Sequence, residues 1–247
     1  MPCHKCRAIV LSKTDYGETS QIVAVFTPSL GMVRALAKGA RRPRGDFEGG
    51  FDLWDLVDLV FLTRAQGLAT LTESRLVIRP KRIRRSQPLF LVASAIRELV
   101  LRGSAERDPN AAVFDALAKL LDLFETVPEN KGPLLLVSFE MFFLAAHGMA
   151  PQWTRCIECA GALERKGGMN YDAREGGLVC RSCLRESPST VKISGGAAAL
   201  AAGLAERPFD NVAVLGANRR LVRELQEVVK LTLAYSSLVV PRSLRYV

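Results

Sequence analysis

The sequence predicts an α+β protein with a small N-terminal β-barrel, a helical bundle and an inserted four-cysteine segment. Five short β-rich runs separated by turn residues fill roughly the first 80 positions. After Pro80 the spacing of apolar residues becomes helical, and two CxxC pairs interrupt that helical pattern. We therefore predict a barrel domain over residues 1–80, a helical domain over 81–155, a cysteine module over 156–186 and the return of the helical domain over 187–247.

The five candidate strands are separated by glycine-rich turns. The fourth run has a period that is ambiguous between strand and helix, and we interpret it as a strand because its neighbours are strands. Five short strands suit a small barrel, because closure removes exposed edge strands. The candidate strands span residues 7–13, 19–28, 31–39, 52–63 and 68–78.

Helices are predicted where apolar residues recur every three or four positions and where proline or glycine marks the breaks. The third segment is apolar on nearly every face, so we expect it to be the central, buried helix of the bundle. The predicted helices span residues 88–101, 110–127, 133–147, 194–206 and 217–235.

The composition is that of a globular protein, with 49% hydrophobic and 24% charged residues. Charged residues break each long apolar stretch before it reaches the roughly 18–20 residues of a membrane span. The apolar stretch near the N-terminus, residues 8–11, is too short for a secretory signal. We therefore expect a cytoplasmic protein with no membrane span, in which reducing conditions favour metal binding by paired cysteines over disulfides.

The two CxxC pairs have the spacing of a zinc ribbon: Cys156 and Cys159, then twenty residues, then Cys180 and Cys183. Four thiolates complete a tetrahedral zinc shell and leave no position for water or substrate, so we predict one structural Zn²⁺ per chain. Two chance pairs without metal are the alternative. A third cluster, Cys3, His4 and Cys6, is either part of a second metal site or a frayed end.

The positive charge is concentrated at the N-terminal end. The formal net charge is +9, and residues 1–85 hold 15 Lys and Arg against 8 Asp and Glu. A concentrated positive field attracts polyanions, of which nucleic acid is the most abundant in a cell. The alternative is a solvated surface with a chance excess of cations.

Two basic runs supply candidate contacts to nucleic-acid phosphates. The first surrounds the loop after the third strand, and the second lies at the junction of barrel and helices. Three aromatic residues after the first run, Phe47, Phe51 and Trp54, belong either to a stacking surface for bases or to the barrel core. The candidate contacts are Arg34, Lys38, Arg41, Arg42 and Arg44, and then Lys81, Arg82, Arg84 and Arg85.

The sequence contains no catalytic motif that we recognise. It has no P-loop, no GxGxxG after a strand and no HExxH, and it holds only two histidines. Asp52, Asp55 and Asp58 have a period of three that could suit metal carboxylates, but a polar face of the barrel or of a helix is the simpler explanation. We therefore predict no catalytic residue and no enzymatic activity.

Three stretches together resemble the RecO family of bacterial recombination mediators. The first, residues 8–51, carries Gly17 and Glu18, Phe26 and Thr27, and the run AKGARR; the others span residues 138–161 and 238–247. The resemblance implies that the five-stranded barrel is an OB-fold and that Arg34, Lys38 and the following arginines meet DNA. It also implies a zinc module, a position at the nucleoid and no enzymatic activity.

The resemblance further implies that the protein binds single- and double-stranded DNA and anneals complementary strands. Its implied partners are RecR and single-stranded-DNA-binding protein, and through them it helps to load RecA during DNA repair. Two other functions fit the residues: a zinc-containing protein–protein adaptor, and an RNA-binding factor, because OB barrels also accept RNA. A hydrolase is a more distant alternative.

Overall fold

The computed structural model describes residues 1–42, 47, 50–64, 67–163, 168–185, 187–210, 212, 218–236, 238 and 240–246. The chain forms two compact units. Unit 1 contains Met1–Ser86 and Ser104–Thr126, and unit 2 contains Gln87–Gly103 and Val127–Val247. The arginine run predicted to meet nucleic acid belongs to unit 1, and the four cysteines belong to unit 2.

Unit 1 is built on a closed five-stranded barrel with the strand order β1-β2-β3-β5-β4. Neighbouring strands are antiparallel except for β3 and β5, which are parallel. Small and β-branched residues such as Ala8, Val10, Val23 and Val25 fill the interior. The predicted α+β class and the five-stranded OB-fold barrel are therefore confirmed. The strands are β1 (Cys3–Tyr16), β2 (Ser20–Thr27), β3 (Gly31–Ala37), β4 (Leu56–Leu62) and β5 (Ala69–Ile78).

The barrel departs from the predicted strand limits at two places. β1 begins at Cys3, because Cys3 to Ile9 pair without interruption along β4, so the interpretation of the N-terminus as a frayed end is wrong. β4 begins only at Leu56. Trp54 has a φ of 67°, and its N–H donates to the carbonyl of Val10, so residues 52–55 turn back to β1 before the strand begins.

The second predicted helix packs on the barrel. It is α2 (Ala111–Thr126), and it follows α1 (Gln87–Gly103) of unit 2. Phe124 meets the ring of Trp54 edge-on at 5.3 Å, and the Glu125 carboxylate accepts the backbone N–H groups of Lys81 and Arg82 at 2.6 and 3.0 Å. These N–H groups begin the 3₁₀ helix Arg82–Arg84, so α2 fixes the chain where it leaves the barrel. The domain limits predicted from the sequence remain a prediction.

Unit 2 is a helical bundle with a small sheet. Its central helix, α3 (Gly132–Ala146), buries eleven residues on nearly all faces, which confirms the predicted central position. A 3₁₀ helix, Glu129–Lys131, precedes it, and another, Arg242–Tyr246, lies near the end of the chain. The remaining elements are β6 (Met169–Asp172), β7 (Gly177–Val179), β8 (Thr190–Ile193), α4 (Gly195–Glu206) and α5 (Arg219–Tyr235).

The cysteine module is fixed to the bundle through one buried tyrosine. The hydroxyl of Tyr171 on β6 lies 3.0 Å from that of Thr232 on α5, and the ring of Tyr171 stacks on Trp153 at 4.7 Å. Both aromatic residues are almost completely buried. Among the described residues, the structure has no helix long and apolar enough to span a membrane.

Candidate metal centre and nucleic-acid surface

The four cysteines predicted as ligands lie together in space. The sulfurs of Cys156, Cys159, Cys180 and Cys183 are all within 4.8 Å of one another, and those of Cys159 and Cys180 are 3.9 Å apart. Zinc–sulfur bonds of about 2.3 Å in a tetrahedron place neighbouring sulfurs about 3.8 Å apart. The four sulfurs therefore have the spacing that a tetrahedral metal ion requires.

The pKa values of these thiols also fit a site that binds a cation. Burial alone would raise the pKa of Cys156, but backbone N–H groups of Cys180, Cys159 and Glu158 donate to its sulfur and lower the pKa to about 6. Hydrogen bonds with the Cys180 and Cys159 sulfurs raise the pKa of Cys183 to about 12. Four sulfurs this close cannot all carry negative charge unless a cation lies between them. The residues present therefore fit a divalent ion with four soft sulfur ligands.

The cations predicted after β3 lie at the surface of the barrel. Arg34, Lys38, Arg41 and Arg42 are all exposed, whereas Arg44 lies outside the described residues. Arg34 pairs with Glu106 at 2.5 Å, and Arg41 pairs with Asp15 at 3.1 Å. In the described part of the chain, Lys38 and Arg42 have no ion-pair partner.

Arg41 and Arg42 belong to a recess at one end of the barrel, which we call the mouth recess. It has a volume of about 340 Å³, and Lys13, Gln21, Arg41 and Arg42 supply its polar side chains. Sequence reasoning did not select Lys13. Strict alternation from the inward-facing Val10 would turn Lys13 outward, but β1 has a bulge between Val10 and Ser12 that reverses the alternation.

The second basic run divides between surface and structural roles. Lys81 and Arg85 are exposed, and Arg82 is half-buried. Arg84 instead turns toward the chain: its guanidinium donates to Asp52 at 3.1 Å, to the carbonyl of Leu53 at 2.8 Å and to Asp55 at 3.3 Å. Arg84 therefore stabilises unit 1 in this structure, whatever its role toward nucleic acid.

Asp55 is the centre of this structural network, and neither sequence interpretation, a metal carboxylate or a polar face, predicted that role. Its carboxylate is fully buried, and the guanidinium of Arg79 contacts both oxygens at 2.9 and 2.6 Å. Hydrogen bonding with Asp55 raises the pKa of Arg79 above its ordinary value. A buried carboxylate requires such partners, but the sequence does not indicate which arginine supplies them.

The other sequence alternatives are resolved by burial and pairing. Phe47, Phe51 and Trp54 are each less than 5% exposed, so they belong to the core and offer no stacking surface for bases. Asp52 pairs with Lys13 and Asp58 pairs with two arginines, so neither joins a carboxylate metal site. Among the described residues, the four cysteines are the one group of three or more ligand side chains placed to share a metal ion.

Comparisons with known proteins cover nearly the whole chain. A family model described as recombination protein O, N terminal, matches residues 1–78, and one described as recombination protein O, C terminal, matches residues 89–245. DNA repair protein RecO of Dehalococcoides mccartyi is 28% identical over 232 residues, which cover 94% of this chain and 89% of that protein.

Two further relatives have the same name. DNA repair protein RecO of Bacillus subtilis is 27% identical over 190 residues, covering 76% of this chain and 72% of that protein. DNA repair protein RecO of Rhodopirellula baltica is 33% identical over 178 residues, covering 71% and 65%. With both family models matched along one chain, this protein belongs to the RecO family of DNA repair proteins.

Proposed function

We propose that this protein is a non-enzymatic recombination mediator that binds DNA through the barrel of unit 1 and anneals complementary strands. The observation that carries the proposal is the group of cations at one end of the barrel: Lys13, Arg41 and Arg42 converge on the mouth recess, and Lys38 is exposed in the same turn as Arg41. Strand phosphates are the partner that such a group attracts without regard to base sequence.

Annealing follows from charge neutralisation. Two complementary strands repel each other through their phosphates, and a protein that neutralises some of those phosphates lowers the repulsion that opposes pairing. This process needs no nucleotide and no bond-breaking chemistry. We therefore expect that the protein does not cleave DNA when the two are incubated with magnesium. Because the bound polymer is DNA, we place the protein in the cytoplasm at the nucleoid.

The metal centre supports the fold of unit 2 in this proposal. We infer that the four cysteines hold one Zn²⁺ per chain, because four soft sulfur ligands at tetrahedral spacing favour zinc over Mg²⁺ or Ca²⁺. With all four positions taken by sulfur, the ion acts structurally. The segment 156–186 has equal numbers of basic and acidic residues, whereas residues 1–85 carry +7, so we place DNA on the barrel and not on the module.

The protein partners are proposed to meet unit 2. RecR and single-stranded-DNA-binding protein are the expected direct partners, and RecA benefits indirectly when the coating protein is displaced. A groove of about 690 Å³ on unit 2, lined by residues of α1, α3 and α5, offers a surface for such a partner. Capture of RecR without any binding of labelled single strands at low salt would favour the adaptor function instead.

The decisive experiment measures strand annealing on DNA coated with single-stranded-DNA-binding protein. The test variant is Arg41→Ala/Arg42→Ala, and the matched control is Arg207→Ala/Arg220→Ala, which removes the same charge from exposed positions at the end of α4 and the start of α5. The proposal predicts a large loss of binding and annealing for the test variant on all sequences, and a small effect for the control. If about five phosphates are contacted, single-strand affinity should fall with salt at a log-log slope near −3.5.

Two results would contradict the proposal. A flat salt dependence would remove the electrostatic basis of binding. A preference for RNA over DNA oligomers of matched sequence would favour the RNA-binding alternative.

A further inference from the structure

Two arginines in and just after β3 are each held by a carboxylate from elsewhere in unit 1. Arg41 contacts Asp15 of β1 at 3.1 Å, and Arg34 of β3 contacts Glu106 at 2.5 Å. Arg41 belongs to the group that the proposed function assigns to DNA phosphates, and Arg34 is a candidate phosphate contact predicted from the sequence. A phosphate and a carboxylate cannot occupy one guanidinium in the same geometry, so each pair must open or weaken when DNA binds.

Asp15 is bound in the way that a phosphodiester would be. One of its oxygens accepts from the guanidinium of Arg41, and the other accepts from the side-chain amide of Gln21 at 3.1 Å. Gln21 is nearly buried, and its own carbonyl oxygen accepts the N–H of Phe51, which fixes the direction of the amide. One guanidinium and one oriented amide would serve equally well for the two non-bridging oxygens of a phosphate.

Glu106 is held in place by the backbone of β3. The segment 104–108 runs beside the edge of β3 that β5 leaves unpaired: residues Met32 and Glu106 form a parallel bridge, and the N–H of Arg107 donates to the carbonyl of Met32 at 2.9 Å. A Cβ at Gly31 would approach the Asp108 carbonyl oxygen to 1.9 Å, so only glycine lets this segment lie so close. The backbone that carries the Glu106 carboxylate is therefore held beside β3, within reach of Arg34.

These two ion pairs are far more exposed than the pairs that Asp55 makes with Arg79 and Arg84. Both partners of Arg34–Glu106 and Arg41–Asp15 are roughly half exposed, whereas the carboxylate of Asp55 is fully buried. Exposed ion pairs are weak because water screens them, so another anion exchanges into them easily. A buried pair does not exchange, because its separated charges would lose their partners without gaining water.

We propose that Asp15 and Glu106 are internal competitors of DNA phosphates that limit how tightly and how long the barrel holds a strand. The inference rests on the proposed DNA-binding function and adds its regulation. A mediator that anneals strands must release the duplex it has formed, and each carboxylate is ready to take back its arginine as a phosphate leaves. The two acids would thus increase turnover at the expense of affinity.

The test uses a labelled oligothymidylate, which has no internal base pairing, and the full-length protein. Fluorescence anisotropy measures affinity over a salt series, and competition with unlabelled strand measures the dissociation rate. The variants are Asp15→Asn, Glu106→Gln and their combination. The matched control is Glu73→Gln, which removes one negative charge from an exposed position on β5 of the same barrel.

Each single variant should bind about two- to five-fold more tightly than wild type, the range that the loss of an exposed ion pair allows. The combined variant should gain about the product of the two effects, because the pairs share no residue. The salt slope should steepen by up to about 0.7 per released arginine. Dissociation should slow by a similar factor, and annealing by substoichiometric protein should slow with it.

A test in an Arg41→Ala background distinguishes competition between carboxylate and phosphate from the general effect of removing a negative charge. With Arg41→Ala already present, Asp15→Asn should change affinity no more than Glu73→Gln does, because no arginine remains to be released. The inference is overturned if wild type binds and Asp15→Asn and Glu106→Gln behave like the control. If wild type does not bind but the combined variant does, the inference is supported in its strongest form. If neither binds, the proposed function and the inference both fail.

Discussion

Replacing Asp55 by asparagine should destabilise unit 1 more than any other single change to its charged residues. The buried carboxylate accepts two hydrogen bonds from Arg79, one from Arg84 and one from the N–H of Asp52 at 2.9 Å. Asparagine keeps the shape, but it loses the charge and turns an N–H₂ group toward a guanidinium. Breaking a buried ion pair costs about 3–5 kcal/mol, and we expect the lower end because the side chains of Arg79 and Arg84 are about one-third exposed and regain some hydration.

A loss of about 3 kcal/mol corresponds to a fall in melting temperature of about 6–12 °C for a protein of this size. The assay follows the fluorescence of Trp54, which lies in unit 1 against Phe124, in a Trp153→Phe background that silences the second tryptophan. Asp58→Asn is the matched control: it also removes a carboxylate paired with two arginines, but both arginines are more than half exposed, so about 0.2–1 kcal/mol is expected. Equal melting temperatures for Asp55→Asn and Asp58→Asn would refute the reasoning.

Three further predictions concern unit 2. Freshly purified protein should contain about one zinc per chain, and Cys159→Ser or a strong chelator should release it and expose residues 156–186 to protease while leaving barrel binding of DNA intact. Burial would raise the pKa of Glu98, but hydrogen bonds from Ser243 and the backbone N–H of Arg242 lower it to about 2. The stability that ionised Glu98 contributes should therefore be complete above its ordinary pKa of 4.5 and disappear as the pH falls toward 2. The melting temperatures of wild type and Glu98→Gln should converge in acid. Burial raises the pKa of Glu140 to about 8, against the opposing effect of Lys230. Because Glu140 stays protonated in the folded state while it ionises in the unfolded state, wild type should lose stability relative to Glu140→Gln as the pH rises from 4.5 to 8. A constant difference in stability over that range would contradict the raised pKa.

The barrel could be predicted because its signal is local. Alternating apolar residues and glycine turns mark each strand, and the closed order of the sheet follows from the need to remove edges. The first four residues of β1 carry no such signal, since Cys3 and Lys5 are exposed and the contacts of the other two are distant in sequence: the His4 ring stacks on Phe61, and Cys6 packs against the barrel core. A strand whose order depends on distant partners cannot be recognised from its own residues.

Side-chain contacts in the candidate sites were likewise predictable only where they depend on residues close together in the sequence. The four clustered cysteines could be predicted because two short turns fix their spacing. Arg84 could not be distinguished from Arg85 because a run of cations does not reveal which member meets a buried acid. Lys13 was missed because one bulge reverses the direction of every later residue in β1. The apolar stripe of α2 indicated that it packs against something, and only the folded chain shows that the partner is the barrel.

In the proposed DNA-binding function, the barrel's cations would act at two distances from the strand, and this difference would set the order of the binding steps. Beyond a Debye length of about 8–10 Å an ion pair has almost no field, so only the surplus charge of residues 1–85 attracts a strand from solution. We propose that Lys38 and Arg42, which have no ion-pair partner among the described residues, make the first contacts with DNA. Arg34 and Arg41 would contribute afterwards, when a phosphate close enough to replace Glu106 or Asp15 is already in place. Compared with the charge-matched control Glu73→Gln, Asp15→Asn should therefore slow dissociation without a further change in association, whereas removing Lys38 or Arg42 should mainly slow association.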